Sequence, residues 1–397
     1  MQSNRGDSPD LACVKKRKVL YLSGFDPRGA AHYHAIYRQE AEKAQSVTQR
    51  QYSVSDRKRN GRFSASWQIS TETTTTDYEF LSWDDIIRQH WQKHPFQVIA
   101  KSSSAYWHFL ASGTFRKVFH ASKIHLTTLI YPLFFIALLL ILSGLSMLLA
   151  ANLISSHLPG IYIEILLFPL VGYGVFTKLG EYLESRFNYY WIMRIVRFFV
   201  ALSKGEVEGI NQRIDSYAEH LIKQCRDESY DEVLLIGHSV GSILLPMVLE
   251  RALSTDHALL EKPGKLSIVT LGHCIPDLTL LPGTEKTREA VCRSLAAGLF
   301  WLDVTAPPDG ACYPLVDIAT GSRCTEATAE PRYPVAISAR FHKMFAADYY
   351  KSIKFDKNRI HFQYLMSGDY HTNYNYFDIT AGELTLKARY TEYQKDK

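Results

Sequence analysis

Short runs of consecutive apolar residues recur along the chain, and between them apolar residues return every three or four positions. A short continuous apolar run is typical of a strand buried in a parallel sheet, whereas the longer period is typical of an amphipathic helix. The predicted strands are residues 19–22, 233–236, 265–271, 299–305 and 359–367, the last being the final strand of the sheet. The predicted fold class is therefore α/β, with a mostly parallel sheet flanked by helices.

Helical periodicity predicts the intervening helices, at residues 30–50, 81–91, 209–225, 243–253 and 287–297. Residues 63–69 instead alternate between apolar and polar side chains, which predicts a half-exposed strand near a sheet edge. Residues 71–76 form a polar, β-branched run that we interpret as a strand end or a loop.

The middle of the chain is far more apolar than the rest. Residues 126–156 contain no charged side chain, and this run exceeds the roughly 20 residues that span a bilayer core. A second apolar stretch, residues 161–176, follows a short turn and contains Glu164 near its start. The pattern predicts a transmembrane helical hairpin with helices at about 126–154 and 161–177. Glu164 is interpreted as interfacial, with a functional role as the alternative if it lies deeper.

Positive charge predicts how this hairpin is oriented. Lysine or arginine occupies positions 116, 117 and 123 before the first span and positions 178, 186, 194 and 197 after the second, but none lies in the turn. By the positive-inside rule, both flanks, both termini and the catalytic domain are expected to be cytoplasmic. Residues 189–202 combine aromatic residues with two arginines, so they are expected either along the membrane interface or against the protein core.

Composition narrows the function classes. The 397-residue chain carries a net charge of only +5, its basic residues are spread out, and no nucleic-acid-binding motif occurs, so nucleic acid is not an expected partner. Its six cysteines show no metal-ligand spacing, which favours a reducing compartment without disulfides. The sequence contains no metal-binding histidine motif, P-loop or dinucleotide-binding glycine motif, and no cofactor or metal is predicted.

The most informative motif is Gly237-His238-Ser239-Val240-Gly241, which follows an apolar strand and precedes a helical run. In that context a G-x-S-x-G sequence is typical of a nucleophile elbow, where a strained turn exposes the serine hydroxyl at the carboxyl edge of a sheet. The glycines are needed because side chains there would collide with the neighbouring strand and helix. Through this motif and its flanks, the sequence resembles the α/β-hydrolase superfamily.

The resemblance implies a catalytic triad in the chain order serine, acid, histidine. His371 is the predicted base because it follows the predicted final strand, whereas His361 lies inside that strand and is interpreted as structural. Asp309, in a turn after residues 299–305, is the predicted acid. Asp303 is the second choice and Asp317 the third. His273 and Cys274, at another strand end, are interpreted as pocket lining or structural.

The backbone N–H groups of Val240 and Phe25 are the expected oxyanion donors, the latter because Phe25 lies in the loop after the first strand. The resemblance covers about residues 19–29 and most of 230–380. It divides the chain into a flexible N-terminus (1–18), two parts of the hydrolase core (19–103 and 204–397), and an insertion with the hairpin (104–203).

These expectations combine into a membrane-anchored serine hydrolase of the esterase or lipase type that forms an acyl-enzyme on Ser239. Its expected partners are the lipid bilayer and an ester or acyl substrate. The membrane location is the reason to expect that this substrate is lipid-like. The same triad would also serve an acyltransferase or a thioesterase. A non-catalytic membrane scaffold with the same fold is the remaining alternative.

Overall fold

A single mixed sheet organises the fold. The computed structural model describes residues 13–155, 161–262, 264–324 and 333–391, and leaves the side chains of 154–155 and 161–166 undescribed. Over these residues, nine strands join into one sheet: β1 Lys16–Leu22, β2 Ser53–Val54, β3 Lys58–Asn60, β4 Ser64–Ser70, β5 Thr75–Leu81, β6 Glu232–His238, β7 Leu266–Leu271, β8 Phe300–Thr305 and β9 Val335–Ser338.

The strand order is β2-β4-β5-β1-β6-β7-β8-β9, with β3 pairing β4. The six strands from β5 to β9 along this order are parallel, whereas β2, β3 and β4 form an antiparallel edge. In the register, Leu22 of β1 lies beside Gly237 of β6, and Gly237 lies beside Thr270 of β7. The carboxyl ends of β1, β6 and β7 therefore meet at one edge, where parallel α/β sheets bind their ligands.

Seventeen α-helices accompany the sheet within the described ranges. They are α1 Gly29–Thr48, α2 Asp84–His90, α3 Pro95–Ala111, α4 Thr114–Ala121, α5 Lys123–Ser155, α6 Ile161–Phe187, α7 Tyr189–Ser203, α8 Ile210–Arg226, α9 Gly241–Thr255, α10 Ile275–Thr279, α11 Glu285–Ala296, α12 Ile318–Gly321, α13 Phe341–Met344, α14 Ala347–Ile353, α15 Lys357–Phe362, α16 Tyr376–Ala381 and α17 Leu386–Tyr390. Short 3₁₀ turns occupy His257–Leu260 and Gln363–Leu365.

The buried runs confirm the predicted α/β class. Every residue of β6, β7 and β8 is buried, which explains why these strands read as continuous apolar runs. The alternating segment forms β4, whose burial alternates as expected at the antiparallel edge. Residues 75–81 form β5, a strand that the sequence did not predict because its start lies within a polar threonine run.

The predicted final strand is wrong. Residues 359–367 instead form the end of α15, the following 3₁₀ turn and a short extended segment. A short apolar run reads equally well as a buried strand or a buried helix, and all of Ile360 to Leu365 is buried. The edge position is taken by β9, which pairs with β8.

α5 is the one helix in the described residues that is long and apolar enough to span a bilayer, over Lys123–Leu153. Only 11% of its most apolar stretch is buried. α6 packs antiparallel along it: a Cβ on Gly172 would lie 2.6 Å from the Met147 side chain, and one on Gly180 would lie 3.6 Å from Leu139. Over its described residues, α6 is not apolar enough to be a second such helix, so the second predicted span is not supported. The Glu164 side chain lies outside the described residues.

The sequence left open whether the segment that forms helix α7 lies along the membrane interface or packs against the protein core. Twelve of its fifteen residues are buried, including Arg194. The Arg194 guanidinium donates to the Gln92 carbonyl at 3.0 Å and lies over the Trp91 ring. The helix therefore packs into the protein core, and its arginine is satisfied there.

The structure also bears on two predicted segment boundaries and on the predicted state of the cysteines. The predicted boundary at residue 104 falls inside α3. Of the N-terminal segment 1–18, residues 1–12 lie outside the described ranges, and 16–18 already belong to β1. Cys292 and Cys324 form a disulfide, contrary to the prediction that cysteines stay reduced. Their separation of 32 residues is not a recognisable spacing, so only the tertiary fold brings them together.

Candidate active site

Ser239 occupies a strained turn between β6 and α9. Its φ is +56°, in the left-handed region that non-glycine residues rarely adopt. Its N–H donates to the Leu271 carbonyl at 2.9 Å, which fixes the turn against β7. A Cβ on Gly241 would overlap the Leu22 carbonyl oxygen, so α9 can start this close to β1 only with glycine at that position. The strand, the strained turn and the helix that the sequence predicted around Ser239 are therefore all present.

The loop after β1 lies directly against Ser239. A Cβ on Gly24 would lie 2.8 Å from the serine Cβ and 3.2 Å from its Oγ. Phe25 is buried, and its carbonyl accepts a hydrogen bond from Trp191 Nε1 at 3.3 Å. Within the described part of the chain, the backbone N–H groups of Phe25 and Val240 have no hydrogen-bond acceptor. Two donors are thus free beside the serine hydroxyl.

Asp309 and His361 form a buried pair. His361 Nδ1 lies 2.8 Å from Asp309 Oδ2, and both side chains are almost wholly excluded from solvent. The Tyr364 hydroxyl donates to the same oxygen at 3.0 Å, and the Ala311 N–H donates to Oδ1 at 3.0 Å. Burial alone would raise the pKa of Asp309, but the His361 imidazole and the hydrogen bonds from Cys312 and Tyr364 bring it below its usual value.

An ionised Asp309 fixes the His361 tautomer. Because the carboxylate can only accept, Nδ1 carries the proton, and a neutral ring then presents a bare lone pair at Nε2. Nε2 is buried and has no hydrogen-bond partner among the described residues. The ring lies tilted 4.9 Å from that of His238, the neighbour of Ser239, and 5.6 Å from that of Trp191, measured between ring centroids. His361 therefore has a fixed orientation and an unpaired Nε2, on a ring that lies beside His238.

His238 joins the elbow to the helix that carries His361. Its Nε2 donates to the His361 carbonyl at 3.0 Å. Burial, together with the nearby His361 imidazole, lowers the pKa of His238 to about 3. The residue is therefore neutral at physiological pH, and its role is to hold α15 against the end of β6.

The pairing of His371 with Asp309 that the sequence predicted does not occur. His371 Nε2 bonds to Asp378 Oδ2 at 2.8 Å, and half of the side chain is exposed. Asp378 also pairs with Arg50 at 2.5 Å and Arg389 at 3.1 Å, so His371 belongs to a separate ion cluster centred on the buried Asp378. The prediction placed the base after a strand at 359–367. That segment is helical instead, and the histidine that bonds to Asp309 is His361, ten positions before His371.

The alternative acids have other partners. Asp303, inside β8, accepts from the Thr270 hydroxyl at 2.6 Å and faces His273 at 3.7 Å. Burial raises the pKa of Asp303, in spite of the nearby His273. Asp317 accepts from the Thr320 N–H at 2.8 Å and caps α12. Of the three aspartates, Asp309 is the one that the structure joins to His361.

A cavity adjoins Ser239 between α5, α7 and α10. Its lining combines Ser239, Val240 and Cys274 with a largely apolar wall from α5 and α7 (Leu129, Trp191, Ile192, Ile195, Phe199) and a polar end formed by His125 and Asp277. The free volume is about 10 Å³, room for about one water molecule. An acyl group can therefore enter only if the wall side chains move. Cys274 lines the cavity as predicted, whereas the His273 ring bonds to the Val316 carbonyl.

Sequence reasoning missed His361, His125 and Asp277. His361 was assigned to a strand interior, although a helical interpretation of the same run would have left it available. His125 lies in the first turn of the apolar helix and Asp277 directly follows Pro276, so neither belongs to a recognisable motif. No group of three or more histidine, cysteine, aspartate or glutamate residues suited to a metal ion occurs in the described ranges.

Comparison of the chain with protein-family models, with curated proteins and with solved structures finds no match. The function is therefore argued from the site alone.

Proposed function

We propose that the protein is a serine hydrolase of the α/β-hydrolase type, with Ser239 as nucleophile, His361 as general base and Asp309 as the acid that orients His361. The observation that carries this proposal is the Asp309–His361 pair, whose Nε2 has no partner among the described residues and whose ring lies 4.9 Å from that of His238, the residue before a serine on a strained strand-to-helix turn. This arrangement replaces the triad with His371 that the sequence suggested.

In the proposed reaction, Ser239 Oγ attacks an acyl carbonyl while His361 Nε2 takes the hydroxyl proton. The Asp309 carboxylate stabilises the resulting imidazolium, and the N–H groups of Phe25 and Val240 bind the oxyanion. The imidazolium then protonates the leaving alcohol as the C–O bond breaks, which leaves an acyl-enzyme. A water molecule, deprotonated by the same nitrogen, releases the acid and restores the serine.

A carboxylic ester with an apolar acyl chain fits this site best. Leu129, Ile192, Ile195 and Phe199 provide an apolar wall beside the serine, and Leu129 belongs to the long apolar helix α5. We further propose that α5 spans a bilayer and that α6, which packs antiparallel along it, returns the chain to the same side, because β1 before α5 and β6 after α6 pair in one sheet. The flanking charges place that side, with the catalytic domain, in the cytoplasm. The substrate would then be lipid-like and reach the site from the membrane surface.

A fluorophosphonate probe tests the catalytic proposal, since it phosphonylates only an activated serine. The detergent-solubilised full chain should be labelled, and Ser239→Ala should abolish labelling. Absence of labelling in the folded wild-type protein would favour the non-catalytic scaffold. Hydrolysis of p-nitrophenyl esters and acyl thioesters, measured with and without a competing alcohol, then separates an esterase from a thioesterase or an acyltransferase.

A further inference from the structure

The polar end of the Ser239 cavity contains a second buried histidine–aspartate pair. His125 Nε2 lies 2.9 Å from both carboxylate oxygens of Asp277, and both side chains are at most 2% exposed. The Tyr313 hydroxyl donates to Asp277 Oδ1 at 2.9 Å, and its ring packs on the His125 ring. This pair lines the cavity but is not part of the proposed triad.

Both ring nitrogens of His125 face groups that accept hydrogen bonds. Nδ1 lies 3.0 Å from the Gly310 carbonyl oxygen, which cannot donate, so Nδ1 carries a proton. Nε2 faces a carboxylate, so one further proton lies between these two groups. With both nitrogens engaged, His125 has no lone pair to offer a substrate. Its chemistry is that of a fixed double donor rather than a general base.

The acceptor on Nδ1 belongs to the loop of the proposed triad acid. Gly310 directly follows Asp309, and Thr128 packs so tightly on it that a Cβ at position 310 would overlap the Thr128 hydroxyl. That hydroxyl accepts from Lys357 Nζ at 3.1 Å. Lys357 begins α15, the helix that carries His361. The first two turns of α5 therefore contact both the acid loop and the base helix.

We infer that His125 is a positioning residue for the Asp309–His361 pair: anchored by Asp277, it holds the Gly310 carbonyl and so fixes the Asp309 carboxylate where it orients His361. This inference rests on the proposed function. It also means that the long apolar helix is part of the catalytic apparatus and not only an anchor. A shift of α5 along its axis would move the acid loop and the base helix together.

The test is the second-order rate of fluorophosphonate labelling in the full chain, with His125→Asn and Asp277→Asn in the wild-type and Asp309→Asn backgrounds. In the wild-type background, His125→Asn should slow labelling about tenfold and Asp277→Asn several-fold. In the Asp309→Asn background, the same substitutions should change the rate less than twofold, because the group they position is already removed. Thr127→Ala, two residues from His125 but on the exposed face of α5, is the matched control and should label at the wild-type rate.

Equal losses in both backgrounds would show that His125 acts through general stability, and an unchanged rate for His125→Asn would show no role. Either result overturns the inference while Ser239 remains labelled in the wild-type protein. Failure of wild-type labelling instead overturns the proposed function. If His125→Asn does not fold, the Asp277→Asn pair of measurements decides the same question.

Discussion

Asp309 accepts a hydrogen bond at 2.8 Å from His361, a residue 52 positions further along the chain and buried against His238. The pair connects the loop after β8 to helix α15. Because it orients the His361 ring and leaves Nε2 without a partner among the described residues, His361 is suited to the role of base that we propose. The predictions below follow from this arrangement.

His361 and His371 should differ sharply in their contribution to catalysis. His361→Asn should lower the hydrolytic kcat by at least about 10³-fold, because the serine loses its proton acceptor. His371→Asn should leave kcat within about twofold, since its half-exposed pair with Asp378 contributes little. Ester hydrolysis by the two purified variants is the measurement. A large loss in His371→Asn with normal activity in His361→Asn would restore the triad expected from the sequence.

Two buried aspartates provide a second matched comparison. Asp309→Asn should lower kcat by about 10⁴-fold while leaving the fold intact, because the amide would favour the wrong tautomer of His361. Asp303→Asn should retain most of the activity, because Asp303 contacts Thr270 and His273 rather than the base. The measurement is the kcat of each variant, with circular dichroism spectra to establish that both variants are folded. Loss of activity in folded Asp303→Asn alone would identify the other aspartate as the acid.

Gly24 should tolerate no side chain. In Gly24→Ala, the added Cβ would lie 2.8 Å from the Ser239 Cβ, so the loop or the serine must move and fluorophosphonate labelling should slow at least tenfold. Gly144→Ala is the control, because a Cβ there meets no atom within 4 Å. Labelling of Gly24→Ala at the wild-type rate would mean that this loop does not approach the nucleophile.

His238 should make the protein sensitive to acid. Burial lowers its pKa to about 3 in the folded protein from an ordinary value of 6.5, so the unfolded chain binds the extra proton first. The contribution to stability is full above pH 6.5 and is lost as the pH falls towards 3, by about 2 kcal/mol between pH 6.5 and pH 5. His238→Gln, which can still donate to the His361 carbonyl, should flatten this part of the curve. Urea unfolding at several pH values measures the free energy of unfolding. If this free energy falls equally steeply with decreasing pH in the wild type and in His238→Gln, then His238 is not the source of the acid sensitivity.

The exposed apolar surface of α5 should be required for membrane association. Leu140 is 59% exposed, and Leu140→Arg should cost about 3 kcal/mol of insertion free energy if α5 crosses a bilayer. Leu260→Arg, at an exposed position outside α5, is the control. The measurement is the fraction retained in membranes after alkaline carbonate extraction. Equal retention of both variants would show that this surface is not in lipid.

Orientation needs a separate measurement. A reporter inserted at Pro159, in the connection between α5 and α6, should lie on the non-cytoplasmic side if both helices cross the bilayer. A cytoplasmic reporter at this position would show that the chain does not cross there.

Structural elements that depend only on residues close together in the sequence could be predicted from the sequence alone. The strand before Ser239, the glycines beside it and the helix after it lie within one continuous segment, so this strand–turn–helix unit could be predicted from its own residues. The apolar length of α5 and the turn chemistry around Asp309 were predictable for the same reason. Each of these depends on neighbours along the chain.

Only the tertiary structure decided which histidine meets Asp309. Residues 359–367 are apolar enough for a buried strand or a buried helix, and their packing against β6 and α7 selects the helix. That choice removes His371 from the site and brings in His361. His125 and Asp277 are separated by 152 positions, and no local pattern marks either of them. The proposed nucleophile belongs to one segment of the chain, whereas the proposed base, its acid and their support come from segments that meet only when the sheet and α5 pack together.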